Sequence, residues 1–190
     1  MNQISKDLQD WYHHNKRDLP WRNTNNPYLI WISEIILQQT RVDQGLDYFH
    51  RFITRFPNLS SLASAPQEEV LKYWQGLGYY SRARNLHHTA IFIQEQLDGK
   101  FPNKYSEIIK LKGIGPYTAA AIASFAFNEA QAAVDGNVYR VLARLFSIDE
   151  PIDTGKGQKL FQTLAQEILD PNQPGVHNQA MMELGSQICR

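Results

Sequence analysis

The chain has 190 residues, of which 43% are hydrophobic, and 19 acidic side chains balance 19 basic ones, so the formal net charge is zero. This length and composition can support a sizeable buried core and argue against disorder, and a single cysteine excludes an internal disulfide framework. The neutral balance gives no general support for nucleic-acid binding, so a basic surface would have to come from local arrangement.

Helix signals recur along the chain, whereas strand signals are nearly absent. The predicted helices cover residues 4–12, 28–44, 46–56, 66–75, 79–97, 105–111, 118–127, 138–146, 157–169 and 176–189. Short loops join them, which predicts an all-α fold. The amino-terminus is polar and no stretch reaches the length of a membrane span, so we expect a cytoplasmic, monomeric protein without a membrane partner.

The helix predicted over 28–44 is apolar on all sides, which is typical of a buried helix. Glu34 lies in its middle, and at 100° per residue Glu34, Gln38 and Arg41 share one polar stripe. A buried glutamate has two interpretations here. It forms an ion pair, with Arg41 as the nearest candidate, or burial raises its pKa until it can serve as a general acid.

A Gly-x-Gly turn joins the helices predicted over 105–111 and 118–127. Gly113 and Gly115 can turn their backbone amides toward a phosphate at a helix N-terminus, with Pro116 at the first helical position and Lys112 beside the turn. A tight turn between helices is the commoner use of this spacing. Asp135 follows one helix later, and the Asp-Gly-Asn run that it begins favours capping of the next helix.

The hairpin followed by Asp135 resembles the helix-hairpin-helix motif of base-excision DNA glycosylases, and longer blocks are similar to the adenine DNA glycosylase (MutY) family. Those blocks are Leu19 to Arg22, Trp31 to Thr40, Gly76 to Leu86, Leu111 to Thr118, Val134 to Val138, and Asn178 to Gly185. The related endonuclease III family is expected to carry a lysine where this chain has Tyr117. A lysine could form a Schiff base with the sugar, whereas tyrosine indicates a monofunctional glycosylase.

The resemblance implies the chemistry of the site. The target adenine is flipped out of a duplex that contains an A:8-oxoguanine or A:G mispair. Glu34, holding a proton, donates it to N7 of adenine, and ionised Asp135 stabilises the cationic sugar. Tyr117 and Asn137 orient these two carboxyl groups.

The resemblance also implies a set of DNA-binding and base-binding residues. They are Arg17, Trp21, Arg22, Leu37, Gln38, Gln39, Gly78, Tyr79, Lys112, Gly113 and Gly115. Gln39 and Tyr79 are the candidates for the wedge that fills the gap in the base stack. Arg17 and Arg22 are expected at the adenine pocket and the opposite strand, with solvent-exposed loop arginines as the alternative, and Trp21 is better suited to packing than to stacking on a base. The carbonyl groups of Leu111 and Ile114 are candidates to hold a monovalent cation.

The sequence departs from the family pattern at its end. The family continues into four cysteines that bind a [4Fe–4S] cluster, whereas this chain has only Cys189, in the position of the first ligand. One thiolate cannot hold a cluster, so we expect a truncated chain whose full-length form binds one.

We predict two helical lobes around a DNA-binding cleft. The first is a six-helix bundle with the hairpin, residues 22–130, and the second joins 1–21 to 131–190 as a truncated iron–sulfur domain. The expected setting is the bacterial cytoplasm, in association with the nucleoid. Two alternatives remain, an endonuclease III-like glycosylase for damaged pyrimidines and a non-catalytic DNA-binding module.

Overall fold

The computed structural model of the chain describes residues 3–189. All regular elements in that range are helical, which confirms the predicted all-α fold. The helices are α1 (Gln3–Asn15), a 3₁₀ turn (Pro20–Arg22), α2 (Pro27–Leu37), α3 (Val42–Arg55), α4 (Leu59–Ala63), α5 (Gln67–Trp74), α6 (Ser81–Gln96), α7 (Tyr105–Ile108), α8 (Pro116–Phe127), α9 (Gly136–Phe146), α10 (Gly155–Ile168) and α11 (Pro174–Gln187). None of the helices in this range is long and apolar enough to cross a membrane.

The first of two hydrophobic cores is built by α2 to α8. Aromatic side chains dominate it, with Trp31, Trp74, Phe49 and Phe52 at most 1% exposed. Trp21, from the 3₁₀ turn, packs edge-on against Phe49 with ring centroids 5.2 Å apart. This contact joins the segment before α2 to the first core.

The second core is built by α1, α9, α10 and α11. Its buried residues include Leu8, Leu142, Phe161 and Met181. A small group of alanines, Ala120, Ala121 and Ala133, lies between the two cores. Because alanine side chains are short, α8 and the segment before α9 can approach closely at this seam.

The helix predicted over 28–44 is wrong in its second half, because α2 ends at Leu37 and α3 begins only at Val42. Gln38 is extended (ψ 116°) and Gln39 has the left-handed φ of 61°. Arg41 therefore lies on the turn before α3 and shares no helical stripe with Glu34. The sequence offers no glycine or proline at this break, which explains why the pattern missed it.

The predicted hairpin is present, with a first helix, α7, shorter than expected. Gly113 has a φ of 80°, and a Cβ there would lie 2.6 Å from Cβ of Asn85. The hydroxyl of Thr89 donates a hydrogen bond to the carbonyl of Lys112 across 2.8 Å. The turn is therefore held against α6, and only glycine fits at its centre.

Candidate active site

A cavity of about 410 Å³ lies at the seam between the two cores. Its walls come from the segment around the 3₁₀ turn, from α2 and the turn after it, from α8, from the start of α9 and from α11. Side chains separated by more than a hundred residues in the sequence therefore meet in one cavity.

Glu34 lies in the wall of this cavity with only 6% of its surface exposed. Its Oε2 accepts a hydrogen bond of 2.8 Å from the hydroxyl of Tyr117. Burial raises the pKa of Glu34 from 4.5 to about 7, and Asp135 adds to this rise, while the Tyr117 hydrogen bond and the charge of Arg22 oppose it. Glu34 can therefore hold or lose a proton near neutral pH.

Tyr117 remains a neutral hydrogen-bond donor. Burial, reinforced by the neighbouring carboxyl groups of Glu34 and Asp135, raises the pKa of Tyr117 well above 10. Its position next to Pro116 in the first turn of α8 follows from the hairpin. The hairpin thus presents a fixed phenol to the glutamate of α2.

Asp135 is the N-cap of α9, and its two oxygens have different partners. Oδ1 accepts the backbone amides of Asn137 (3.0 Å) and Val138 (2.9 Å), whereas Oδ2 accepts the side-chain amide of Asn137 (2.7 Å). The partial positive charge of a helix N-terminus favours a negative charge at this position. The capping role is therefore present, and the carboxylate still lines the same cavity as Glu34.

Asn137 is fixed from the other side by Arg140. The guanidinium of Arg140 donates to Oδ1 of Asn137 across 2.7 Å and to the carbonyls of Gly185 and Cys189. A Cβ at Gly185 would lie 2.5 Å from the carbonyl oxygen of Asn137. Close packing of α11 therefore sets the position of the Asp135–Asn137 segment.

Arg17 and Arg22 line the cavity, and both are bound by Glu183 of α11. Nε and Nη2 of Arg17 each lie 2.7 Å from a carboxylate oxygen of Glu183, and Nη2 of Arg22 lies 2.5 Å from Oε2. Glu183 also accepts a hydrogen bond from Gln187, and its side chain has no exposed surface. Burial raises the pKa of Glu183, but the hydrogen bonds from both arginines outweigh it and hold this pKa well below its usual range.

Glu183 was not among the predicted site residues. It lies in a block of the sequence, 178–185, that carries the family resemblance, and this was the only available signal. Its partners precede it by more than 160 residues, so no local pattern indicates that it organises two arginines.

The structure brings ten of the predicted site residues into the walls of one cavity. They are Arg17, Trp21, Arg22, Glu34, Leu37, Gln38, Gln39, Tyr117, Asp135 and Asn137. The others lie outside these walls: Gly78 and Tyr79 before α6, Lys112, Gly113 and Gly115 on the hairpin, and Cys189 after α11. Gln179, Met182 and Ser186 also line the cavity and were not predicted.

Residues 3–189 contain no group of three or more His, Cys, Asp or Glu side chains that could hold a metal ion. Cys189 is the single thiol of the chain. The residues present therefore do not fit a [4Fe–4S] cluster, which needs four ligands. The cavity itself offers carboxyl groups, a phenol, amides and guanidinium groups, a set suited to acid–base chemistry.

Comparison with known proteins identifies the family. Residues 32–167 match the model of the HhH-GPD superfamily of base excision DNA repair proteins, and the chain belongs to this superfamily. The predicted resemblance to adenine DNA glycosylases is confirmed. The chain is 45% identical over 183 residues to the adenine DNA glycosylase of Buchnera aphidicola subsp. Baizongia pistaciae, covering 96% of this chain and 52% of that protein. It is also 45% identical over 192 residues to the human adenine DNA glycosylase, covering 96% of this chain and 35% of that protein. The chain thus spans about half the length of the first relative and about a third of the second.

Solved structures show the same fold. A thermostable thymine-DNA glycosylase superimposes with a TM-score of 0.89 at 26% identity, covering 98% of this chain and 86% of that one. A trapped endonuclease III–DNA covalent intermediate superimposes with a TM-score of 0.81 at 21% identity, covering 98% of this chain and 84% of that one.

Proposed function

We propose that this chain is the catalytic part of an adenine DNA glycosylase that removes adenine mispaired with 8-oxoguanine or guanine. The observation that carries the proposal is the pair of unlike carboxyl groups in one cavity. Glu34 is buried with a pKa raised to about 7, and Asp135 caps a helix whose N-terminus favours its charge. Carboxyl groups in unlike environments are the usual solution for breaking a glycosidic bond.

In the proposed reaction, Glu34 donates its proton to N7 of the extruded adenine while the bond between N9 and C1′ breaks. Adenine leaves as a neutral base, and positive charge develops on the sugar. Asp135 stabilises this charge through its carboxylate. Water then adds to C1′, and the proton that it releases restores Glu34, so that the net reaction is hydrolysis.

The lining of the cavity supports adenine as the base that is bound. Gln38 and Gln179 bring side-chain amides to its wall. Oε1 of Gln179 accepts from the Tyr12 hydroxyl, and Nε2 of Gln38 donates to that of Thr118. Nε2 of Gln179 is then left to donate to a ring nitrogen of adenine, and Oε1 of Gln38 to accept from its amino group. The 45% identity to adenine DNA glycosylases gives independent support.

A monofunctional reaction is supported by the absence of a lysine from the lining of this cavity, as far as the described residues show. Without an amine near C1′, no Schiff base with the sugar can form. Tyr117, in the position where a lysine would be expected, instead hydrogen-bonds to Glu34.

DNA is the proposed partner, and the hairpin is the proposed phosphate site. Lys112, Gly113 and Gly115 are exposed on it, so its amides and one positive charge are accessible. We also propose a monovalent cation at the carbonyls of Leu111 and Ile114, next to that phosphate. Gln39 and Tyr79, both exposed, are the proposed wedge.

The test is single-turnover base release from duplexes that contain A:8-oxoguanine, A:G, or an oxidised pyrimidine. We expect adenine release from the first two. Glu34→Gln should reduce the rate at least about 100-fold, the range of general acid catalysis, while DNA binding persists. Glu69→Gln is the matched control, because Glu69 pairs with Arg55 and does not line the cavity.

Two outcomes would contradict the proposal. Full release by Glu34→Gln would refute the acid assignment. Release of the oxidised pyrimidine in place of adenine would favour an endonuclease III-like activity.

A further inference from the structure

Two neighbouring turns carry residues in the left-handed backbone conformation. Gln39, after α2, has a φ of 61°, and Tyr79, before α6, has a φ of 45°. Residues other than glycine adopt this conformation only where their surroundings impose it. Both side chains are exposed, Tyr79 by 68%, so packing of these side chains is not what holds the turns.

The guanidinium of Arg82 binds the backbone of both turns. Nη1 donates to the carbonyl of Ile35 across 2.7 Å and to that of Gln38 across 2.5 Å. Nη2 donates to the carbonyl of Leu77 across 3.1 Å. Longer contacts of 3.4 Å reach the carbonyls of Ile36 and Gly78. One side chain on α6 thus ties the end of α2 to the turn that precedes α6.

Arg82 is itself anchored in the first core. Its guanidinium carbon lies 5.2 Å from the centre of the Trp74 ring and 5.8 Å from that of Tyr79. Trp74 is fully buried, and its Nε1 donates to the carbonyl of Gly78 across 3.1 Å. The contacts of Arg82 therefore run from the core through the guanidinium to both turns.

We infer that Arg82 is a positioning residue for base extrusion, which locks the turns of Gln39 and Tyr79 into one rigid unit so that both side chains enter the duplex together. The inference rests on the proposed function, in which these two residues form the wedge. Extruding a base from a duplex costs unstacking and unpairing. A wedge whose two parts are already ordered avoids a further loss of conformational entropy on binding.

This role differs from that of a phosphate-binding arginine. Nη1 and Nη2 of Arg82 donate to carbonyl groups, and its Nε is buried without a partner among the described residues, whereas a phosphate contact would need these donors directed at DNA. Affinity for DNA falls with salt concentration, and loss of a phosphate contact makes the slope of log affinity against log salt less steep by about 1. Loss of an internal brace leaves that slope unchanged.

The experiment compares Arg82→Met and Arg82→Lys with the unsubstituted chain on two substrates. One is the duplex with adenine opposite 8-oxoguanine, and the other is a bubble duplex in which the adenine is already unpaired. Arg55→Met is the control. The guanidinium of Arg55 also makes two hydrogen bonds, of 2.7 Å each, to the oxygens of Glu69 and lies over the ring of Phe56, but it binds neither turn.

We expect Arg82→Met to slow adenine release from the mispaired duplex at least tenfold and from the bubble less than threefold, with an unchanged salt slope. The rate of Arg82→Lys on the mispaired duplex should lie between the rates of Arg82→Met and the unsubstituted chain, because an ammonium group keeps the charge but lacks the planar guanidinium fork. If Arg82→Met does not fold, the same comparison is made with Arg82→Lys alone. Arg55→Met should match the unsubstituted chain on both substrates.

Equal loss on both substrates would overturn the inference and indicate a general structural role. A reduced salt slope would overturn it in favour of a phosphate contact, and full activity of Arg82→Met would also overturn it. Failure of the unsubstituted chain to release adenine from either substrate would contradict the proposed function itself, and the inference with it.

Discussion

Tyr117 donates its hydroxyl hydrogen to Oε2 of Glu34 across 2.8 Å, and this bond works against the effect of burial on Glu34. A donor to a carboxylate stabilises the ionised form and lowers the pKa, whereas burial raises it. The pKa of about 7 is the balance of these two effects with those of the Asp135 and Arg22 charges. Tyr117 thus limits how strongly Glu34 retains its proton.

Tyr117→Phe should raise the pKa of Glu34 above about 7, because the opposing hydrogen bond is lost. Under the proposed mechanism Glu34 must be protonated to act as the general acid, so the rate of base release should fall as the pH rises through its pKa. The alkaline limb of the pH–rate profile should therefore move to higher pH. Tyr28→Phe is the control, since the hydroxyl of Tyr28 donates to the carbonyl of Phe56, and its profile should not move. An unshifted limb in Tyr117→Phe would contradict the prediction.

Glu183→Gln should move the alkaline limb of the pH–rate profile to lower pH. The change leaves Arg17 and Arg22 without their shared carboxylate, so the charge of Arg22, which already lowers the pKa of Glu34, acts on it more strongly. Breaking a buried ion pair should also reduce the free energy of unfolding by about 3–5 kcal/mol, as measured by urea denaturation. Glu69→Gln, which breaks a partly exposed pair, should cost less than about 1 kcal/mol and leave the limb in place. Glu183→Asp keeps the charge, so it should retain most of the free energy of unfolding that Glu183→Gln loses.

Gly185→Ala should lower both stability and activity. The added Cβ would lie 2.5 Å from the carbonyl oxygen of Asn137, so α11 or the Asp135–Asn137 segment has to shift. Overpacking of this kind costs about 1–3 kcal/mol in the free energy of unfolding. Gly155→Ala is the control, because a Cβ there meets no atom within 4 Å, and it should be neutral or slightly stabilising. Equal thermal midpoints for the two variants would argue against close packing at Gly185.

His177 should make the protein less stable in acid. It is 1% exposed, it shares a hydrogen bond of 2.9 Å with Ser5, and burial lowers its pKa from 6.5 to about 4, although Asp170 opposes this. Between these two values the unfolded chain binds a proton that the folded chain does not. The free energy of unfolding should therefore fall by up to about 3 kcal/mol between pH 7 and pH 4. Urea denaturation at several pH values in this range measures how the free energy of unfolding depends on pH. This dependence should weaken in His177→Gln and persist in His13→Gln, because His13 is exposed.

The parts of the fold and site that the sequence predicts are those with local signals. The apolar run around Glu34 indicated its burial, and the Gly-x-Gly-Pro turn indicated both α8 and the neighbourhood of Tyr117. The cap of α9 followed from the Asp135–Asn137 segment. Each of these features depends on residues within a few positions of one another.

The parts that the sequence did not predict depend on distant side chains. The end of α2 at Leu37 is stabilised by Arg82, which lies more than forty residues later. Its guanidinium donates to carbonyls at the end of α2 that have no partner within the helix once the helix stops. Glu183 is a second case, because its role is defined by two arginines near the amino-terminus. Periodicity carries no information about such contacts.

The cavity takes part of its wall from Arg17 and Arg22 and closes it with Gln179, Met182 and Ser186, nearly the whole chain away. Since the chain is synthesised from its amino-terminus, Arg17 and Arg22 lack the carboxylate of Glu183 until α11 leaves the ribosome. The cavity should therefore be completed only after α11 has been synthesised, so a ribosome stalled before Glu183 would carry an unfinished pocket.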